Sequence, residues 1–473
     1  TGLTASSAGL VLAFLALRLE AEAAAPPSLG LPVGALEWVE GTLREDSAPL
    51  RNGGRRYDLQ LEASGGRDGA RATARGRLAV VVPARAPPLA AWSALRVRGR
   101  LSPDRSGLGL VLFAEAGDLE TPGIRRPRAR LRNRMRTAVL DALRRAGGEG
   151  GPLLEALILG CRDDLDLAIS DDFRRAGCSH VLALSGQHLS ILAALVAFMS
   201  APVLGRRGGL AAAAAASCAF AAFVGPKPSL VRAALMTAHA AGARLSGRVP
   251  SVSTSLGASF LVQSLLWPGT VRDLSFQLSY LALAGLAALS PAFEYLLAPS
   301  SPPPVARALA ASFAAQAAAG PRTLTAFGTL YPAGILAAAL SAPLVAAYIW
   351  VGILGAAAAA ALPFLEPGVQ ALLSALYWAI LAVIRIFAAF PGLAVPEGPG
   401  RWAAAAVVAA LALAVYAVPH VDRIRTRRRF SPELRFPQGP DRLPGNLGSG
   451  DAEALRAELP REPRHSEAPR RPV

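Results

Sequence analysis

Charge is sparse along the middle of this chain, lysine is almost missing, and cysteine is rare; each shortage removes a class of protein. Only 17% of the 473 residues are charged while 52% are hydrophobic, and the mean hydropathy is +0.37. That balance disfavours a soluble enzyme and fits a polytopic membrane protein. From Gly151 to Pro419 there are roughly 24 charged residues, whereas the flanking segments are densely charged, as for a membrane core with aqueous ends. The three cysteines, Cys161, Cys178 and Cys218, form no CxxC and have no histidine cluster at metal-ligand spacing. They read as structural, with a Cys161–Cys178 disulfide open only if both lie on an oxidising face. No metal or cofactor is expected. No GxxxxGK[ST] phosphate loop occurs, so any work done on a substrate draws its energy from elsewhere.

Lys227 is the only lysine, so nearly every cation behind the net charge of +16 is an arginine. Arginine grips phosphate bidentately and stacks on bases, which permits nucleic-acid contact. Genome composition together with positive-inside topology explains the same bias.

The first apolar run, Leu3 to about Leu19, has no basic residues before it, and residues 1–25 are expected to be a transmembrane segment or signal anchor that is cut short. A Pro and Gly hinge at Pro26 to Gly34 leads into a soluble segment over 30–120. Its short alternating runs, Tyr57 to Leu61, Arg77 to Val82 and Leu95 to Leu101, are separated by glycine pairs and predict a small antiparallel barrel or sandwich. Over 125–150 the sequence turns arginine-rich, with Leu131, Met135, Ala138 and Leu143 at near-helical spacing. This is the pattern of an amphipathic helix lying along lipid headgroups, its cations drawing anionic lipid or a polyanion; a solvated linker helix is the alternative.

The membrane core is expected over 151–419. Its candidate spans are Val181–Leu204, Gly209–Val224, Ser229–Leu245, Ser251–Trp267, Leu274–Leu289, Val305–Gly320, Thr323–Leu340, Pro343–Leu362, Val369–Phe390 and Arg401–Val418. Gly151 to Ala168, interrupted by acids, reads as a half-buried or re-entrant segment. The tail over 420–473 begins HVDRIRTRRRF and reads as basic, disordered and cytoplasmic, with no paired-histidine motif that would signal a second catalytic domain. The fold class is therefore a polytopic α-helical membrane protein of about ten transmembrane helices with a small N-terminal β-rich domain.

Three stretches carry polar groups where hydrocarbon would exclude them. SHVLALSGQHL from Ser179 to Leu189 sets Ser185, Gln187 and His188 within one helical turn, with Ser185 and His188 expected on one side of a helix and Gly186 allowing close approach of a partner. GPKPSLVRAALM from Gly225 to Met236 places Ser229 and Arg232 after a proline break. That arginine needs a carbonyl, carboxylate or phosphate unless it snorkels to the interface. RDLSFQLSYLALAG from Arg272 to Gly285 places Gln277 and Ser279 in the first turns of another span. Hydrogen bonding between helices explains such groups as well as transport does. A serine and histidine also suggest nucleophilic catalysis, which needs an orienting acid and an oxyanion site that spacing does not supply.

Taken in order, these stretches resemble the ComEC family of competence proteins, inner-membrane channels for single-stranded DNA in natural transformation. The family's SHLLAISGLHV stretch corresponds to Ser179 to Leu189, with His180 and Gly186 in it. Its PSxxRA element corresponds to Pro228, Ser229, Arg232 and Ala233, and its FQLSF element to Phe276 through Tyr280. Its approach RRxGxSH corresponds to Arg174, Arg175, Gly177, Ser179 and His180, and a later FG with proline to Phe327, Gly328 and Pro332. The resemblance covers about Gly151 to Val345. It departs at Cys161, where many relatives have aspartate, and at Ala338, where they often have asparagine.

The resemblance implies a substrate path for single-stranded DNA lined or braced by Ser185, Gln187, His188, Ser229, Arg232, Gln277 and Ser279. Ser179, His180, Gly186, Pro228, Phe276 and Gly328 would then be structural motif positions. It implies an OB-like amino-terminal domain outside the cytoplasm and a location in the inner membrane. The implied partners are membrane lipid, a periplasmic DNA receptor, a cytoplasmic helicase, ATPase or strand-binding protein, and a second copy of the chain. The metallo-beta-lactamase-like domain of many members is not seen, so strand degradation would fall to another protein. The competing readings are a membrane-embedded hydrolase using Ser185 and His188, and a scaffold that does not conduct.

Overall fold

A computed structural model describes residues 27–430 except 33–34, 45, 51–52, 67, 84–85, 104–109, 124–126 and 226. The expected amino-terminal membrane segment over 1–25 and the tail beyond residue 430 lie outside the described residues.

The first layer is a β-domain of nine strands: β1 Leu36–Leu43, β2 Ala48–Pro49, β3 Arg55–Gly66, β4 Arg71–Thr73, β5 Arg77–Val82, β6 Ala94–Arg98, β7 Arg100–Pro103, β8 Leu110–Phe113 and β9 Leu119–Gly123. Strict alternation builds it. Along β3 the side chains of Tyr57, Leu59, Leu61 and Ala63 are buried while Asp58, Gln60 and Glu62 between them are exposed, and β5 alternates likewise with Leu78, Val80 and Val82 buried; the end of β3 from Ser64 is buried throughout. The sheet runs β7-β8-β5-β3-β1-β6-β9, antiparallel except where β5 meets β8, and curls into a half-barrel around those inward residues. Trp38 lies flat across Gly65 of the neighbouring strand; any side chain at that glycine would collide with the indole.

The helical body follows. Its elements are α1 Pro127–Gly147, α2 Gly151–Leu159, α3 Leu167–Arg175, α4 Ser179–Leu182, α5 Gly186–Val224, α6 Pro228–Leu245, α7 Val252–Leu266, α8 Leu274–Leu297, α9 Pro303–Phe327, α10 Gly334–Ala361, α11 Glu366–Ala388 and α12 Pro399–Phe430. Among the described residues five stretches are long and apolar enough to cross a membrane: Gly186–Val224, Leu274–Leu297, Gly334–Ala361, Pro363–Ala388 and Pro399–Val418. The chain is a membrane protein on this composition. The helices α6 and α9 do not meet the same standard, and they are the ones that carry Arg232 and Arg322.

Several boundaries differ from the expected ones. The first span begins at Gly186, because Ala183 and Ser185 are extended and Ser185 takes the N-cap position. Within α5, Gly205 (φ 69°, ψ 170°) breaks the helix. A Cβ on Gly209 would lie 3.2 Å from the Ala197 carbonyl oxygen, although twelve residues of straight helix would separate the two by about 18 Å. The second half therefore folds back on the first as a hairpin, with its turn in the gap between the expected segments Val181–Leu204 and Gly209–Val224. The expected spans Thr323–Leu340 and Pro343–Leu362 are redrawn. Helix α9 continues through Phe327, Gly328 (φ 68°) closes it in the left-handed conformation, and α10 runs unbroken through Pro343.

Helix α2 is short and almost wholly buried in the largest apolar core, which it shares with Tyr348, Tyr377, Ile380 and Ile384. Its Glu155, 1% exposed, receives both donors of Arg144 from α1, at 2.7 and 3.2 Å. The expected half-buried segment is thus a buried helix whose one acid is paired.

Helix α1 ties the layers together. Arg136 pairs with Asp46 of the β-domain at 2.7 Å, and Arg55 of β3 pairs with Asp163 at 2.7 Å. Arg132 donates to the carbonyls of Phe223 and Val224, two of the acceptors left over at the end of α5. The outer side of α1 divides in two. Leu131, Met135 and Val139 form an exposed apolar stripe at four-residue spacing, with the exposed Arg130, Arg134 and Arg145 beside it.

Candidate functional site

The three polar stretches converge on one guanidinium. Pro228 opens α6 at a position where its missing N–H costs nothing, and Arg232 follows one turn later, 8% exposed. Arg232 donates to the backbone carbonyl of Ser279 on α8, and its guanidinium lies 5.8 Å from the centre of the Tyr280 ring. On the other side it packs against Gly186, at the start of α5; an added Cβ there would fall within contact of Nη2 and 3.1 Å from the Ala233 Cβ. One side chain therefore touches all three stretches. It does not snorkel, and a carbonyl is its partner. Its Nε is buried without a hydrogen-bond partner.

A second stitch joins the first two stretches: the buried Ser229 hydroxyl donates to the Leu184 carbonyl at 3.0 Å. Ser185 and His188 form a reciprocal helix cap. The Ser185 backbone N–H donates to His188 Nδ1 at 3.4 Å, and the Ser185 side chain accepts from the His188 backbone N–H. Ser185 is thus outside the helix and not on one helical face with His188, which corrects the expected arrangement. A histidine whose Nδ1 accepts from an amide and a serine occupied as a cap are not placed as base and nucleophile.

The third stretch is braced as well. Gln277 donates to the Val271 carbonyl at 3.0 Å and accepts from Arg322 Nε at 2.6 Å. Phe276 and Tyr280 stack with Phe260 of α7, with ring centres 4.4 to 5.7 Å apart. The Tyr280 hydroxyl shares its one proton between Ser259 Oγ and Gln263 Oε1, each at 3.2 Å, and Gln263 donates to the Pro228 carbonyl at 3.2 Å. Gly328 has its own close neighbour, the Arg401 guanidinium, and the turn after it packs Tyr331 against Gly177, so the later FG element abuts the approach to Ser179.

The opposite face of the first stretch is different. Ser179, His180, Gln187 and Ser190 are exposed, while Gly186, His188 and Leu189 from the same turns are buried. Gln187 has no hydrogen-bond partner among the described residues. Ser185 and Ser279 lie between the two groups, half-buried. Arg77 and Arg44 of the β-domain come near enough to Asp273, which precedes α8, to act on its carboxyl. Burial raises that carboxyl above the usual range and the two arginines partly offset the rise. Cys161, Cys178 and Cys218 are all free thiols, and burial with the nearby Asp163 carboxylate pushes the Cys161 thiol up to about 11.

Sequence reasoning missed Arg322, Ser259 and Gln263. The last two had a signal, since with Ser255 they recur every fourth residue along α7, a polar stripe on an otherwise apolar helix. Among the described residues no group of three or more His, Cys, Asp and Glu side chains is placed to hold a metal ion.

No curated protein and no solved structure gave a match. A family model described as Competence protein matches residues 157–420, more than half of the chain and all of the junction around Arg232. With its ordered motif elements inside that match, the chain belongs to the ComEC family of competence proteins.

Proposed function

We propose that this chain conducts single-stranded DNA across the inner membrane during natural transformation. Family membership supports a role in DNA uptake. The observation that carries the conducting role is the split of Ser179 to Ser190 into a buried, fully engaged face and an accessible polar one. Polar surface inside a membrane body needs water or a ligand against it. His188, Ser229, Arg232 and Gln277 act as the frame, and Ser179, His180, Gln187 and Ser190 face the strand, with Ser185 and Ser279 at the margin.

The physical demand is set by the substrate. A DNA strand brings one negative charge per nucleotide, and a dry apolar pore would oppose each with a large desolvation cost. Accessible hydroxyl, amide and imidazole groups lower that barrier without trapping the strand, as weak repeated sites should. The field also has the right sign: between Phe173 and Phe293 the sequence has eight arginines and one lysine against a single acid, Asp273. In this reading the β-domain receives the strand outside, α1 lies at the headgroups, and the arginine run directly after the span Pro399–Val418 holds the carboxy-terminal end in the cytoplasm. A partner ATPase, a strand-binding protein or the proton gradient supplies the pull.

The test is entry of labelled DNA into the cytoplasm, scored separately from entry into the periplasm, in cells deleted for the gene and complemented with variants. Deletion is expected to abolish the cytoplasmic fraction alone. Gln187→Leu should reduce that fraction with protein level unchanged, and Ser185→Ala should reduce it no more than loss of a helix cap explains. Cytoplasmic entry undiminished by deletion would refute conduction.

A further inference from the structure

Two arginines reach the first turns of α8 without ending on a carboxylate. Arg322 lies near the end of α9, directly after Pro321, and is half-buried. Its Nε donates to Gln277 Oε1 at 2.6 Å and its Nη1 to Thr325 Oγ1 at 3.2 Å. Gln277 is itself held by the Val271 carbonyl, so the amide is fixed before the arginine arrives. Among the described residues Arg322 has no carboxylate partner and no further bond, which leaves its Nη2 edge uncommitted. Arg232 meets the same helix two residues further on, at Ser279, with its Nε buried and unpartnered.

Two guanidiniums are thus fixed on the first two turns of one long helix, whose N-terminal end adds a further partial positive charge. An arginine held only by neutral acceptors keeps its full positive charge. A fixed pair with no carboxylate bonded to either member matches a phosphate group, which accepts from a guanidinium edge; the one acid at this helix start, the N-cap Asp273, is faced by Arg77 and Arg44 of the β-domain. The neutral donors and acceptors around Arg322 orient it without cancelling its charge. A Gln in place of Glu at position 277 is the difference between a bracing contact and a neutralising one.

We infer that Arg322, oriented by Gln277 and Thr325 and supported by Arg232, forms a phosphodiester-binding station at the start of α8. The station rests on the conducting role proposed above and specifies where along the path the backbone, as opposed to the bases, is held. Arg322 contacts the phosphate through its free edge; Gln277 is a positioning residue.

The test uses the full chain in detergent micelles and a fluorescent oligothymidylate, with binding followed by anisotropy across a salt series. Each phosphate contact on a single strand contributes about 0.7 to the slope of log affinity against log salt. Arg322→Gln is expected to lower the slope by about 0.7, and Arg322→Lys, which keeps the charge, to retain it. Gln277→Glu, which sets a carboxylate against the guanidinium and changes little in size, should lower the slope by a similar amount and serves where Arg322→Gln does not fold. Wild-type slope in Arg322→Gln, or in Gln277→Glu, overturns the station while leaving the path intact. Equal wild-type affinity for a methylphosphonate strand, which has no backbone charge, would overturn the conducting path and the station with it.

Discussion

The junction at Arg232 makes a sharp demand on Gly186, and a double-mutant cycle between them tests it. Gly186 begins α5, and a Cβ there would run into Arg232 Nη2 while standing 3.1 Å from the Ala233 Cβ. The end of a long side chain could ordinarily swing aside. Here it is pinned by its bond to the Ser279 carbonyl and its place against the Tyr280 ring. Overpacking of this kind costs about 1–3 kcal/mol. Replacing glycine by alanine also returns up to about 1 kcal/mol of helix propensity, less in a first turn. Gly186→Ala alone is therefore expected to destabilise by about 0–3 kcal/mol. Arg232→Ala removes a charge-assisted hydrogen bond and a ring contact, together about 2–4 kcal/mol.

In the double variant the obstacle is gone and the propensity gain remains, so Gly186→Ala should turn neutral or slightly stabilising. The propensity term cancels around the cycle, and the coupling that survives is about 1–3 kcal/mol. Unfolding of the micellar protein by increasing mole fraction of dodecyl sulfate, followed by circular dichroism, measures it. Additivity within about 0.5 kcal/mol would show that Gly186 is not pressed against Arg232, and the junction of the three stretches would be wrong.

Three other outcomes follow from single contacts. Tyr57 is wholly buried in the β-domain and donates to the Pro87 carbonyl at 2.7 Å; burial raises its phenol from 10 to about 12, against a smaller lowering from Arg55. An unfolded chain loses that proton first, so this contribution is intact below pH 10 and is lost as pH rises through 12, by roughly 3 kcal/mol. The difference in phenolate absorbance between wild type and Tyr57→Phe should therefore stay flat at pH 10, and a titration there with the exposed phenols would contradict the buried placement. For the pair between Arg144 and Glu155, whose side chains are 51% and 2% exposed, Arg144→Ala should destabilise more than Glu155→Gln. The first leaves a buried carboxylate alone, while the second loses about 1.5–3 kcal/mol of bonding from an arginine that water can reach. Thermal unfolding decides the order, and the reverse ranking refutes it. A nitroxide at Met135, in a cysteine-free background, should show the oxygen accessibility of the headgroup boundary, and one at Thr137 that of water; equal, water-like values would make α1 a solvated linker.

The β-domain was the more legible half in outline. Period-two burial in β3 and β5 follows directly from the alternation in the sequence, because a strand with one buried face writes its pattern residue by residue. The order of strands was not legible. Pairing β5 with the distant β8 in parallel depends on a crossover that no local signal marks. In the helical body, hydrophobic runs located most spans but could not divide them. Alanine-rich sequence reads the same on both sides of Gly328, where the chain turns, and Pro343, where it does not.

The site was legible as a set of stretches and illegible as a set of roles. Composition alone singles out Ser185 through His188, Ser229 with Arg232, and Gln277 with Ser279, since polar groups in an apolar run always need an explanation. Whether each one braces or faces the path depends on a neighbour supplied by another helix. Gln187 and His188 are adjacent in sequence and about 100° apart around α5. The packing of α6 against α5, through Arg232, Ala233 and the bond from Ser229 to Leu184, covers the side that holds His188 and leaves Gln187 open. Arg322 went unnoticed for the same reason: its meaning lies in Gln277, forty-five residues earlier, and in the missing carboxylate between them.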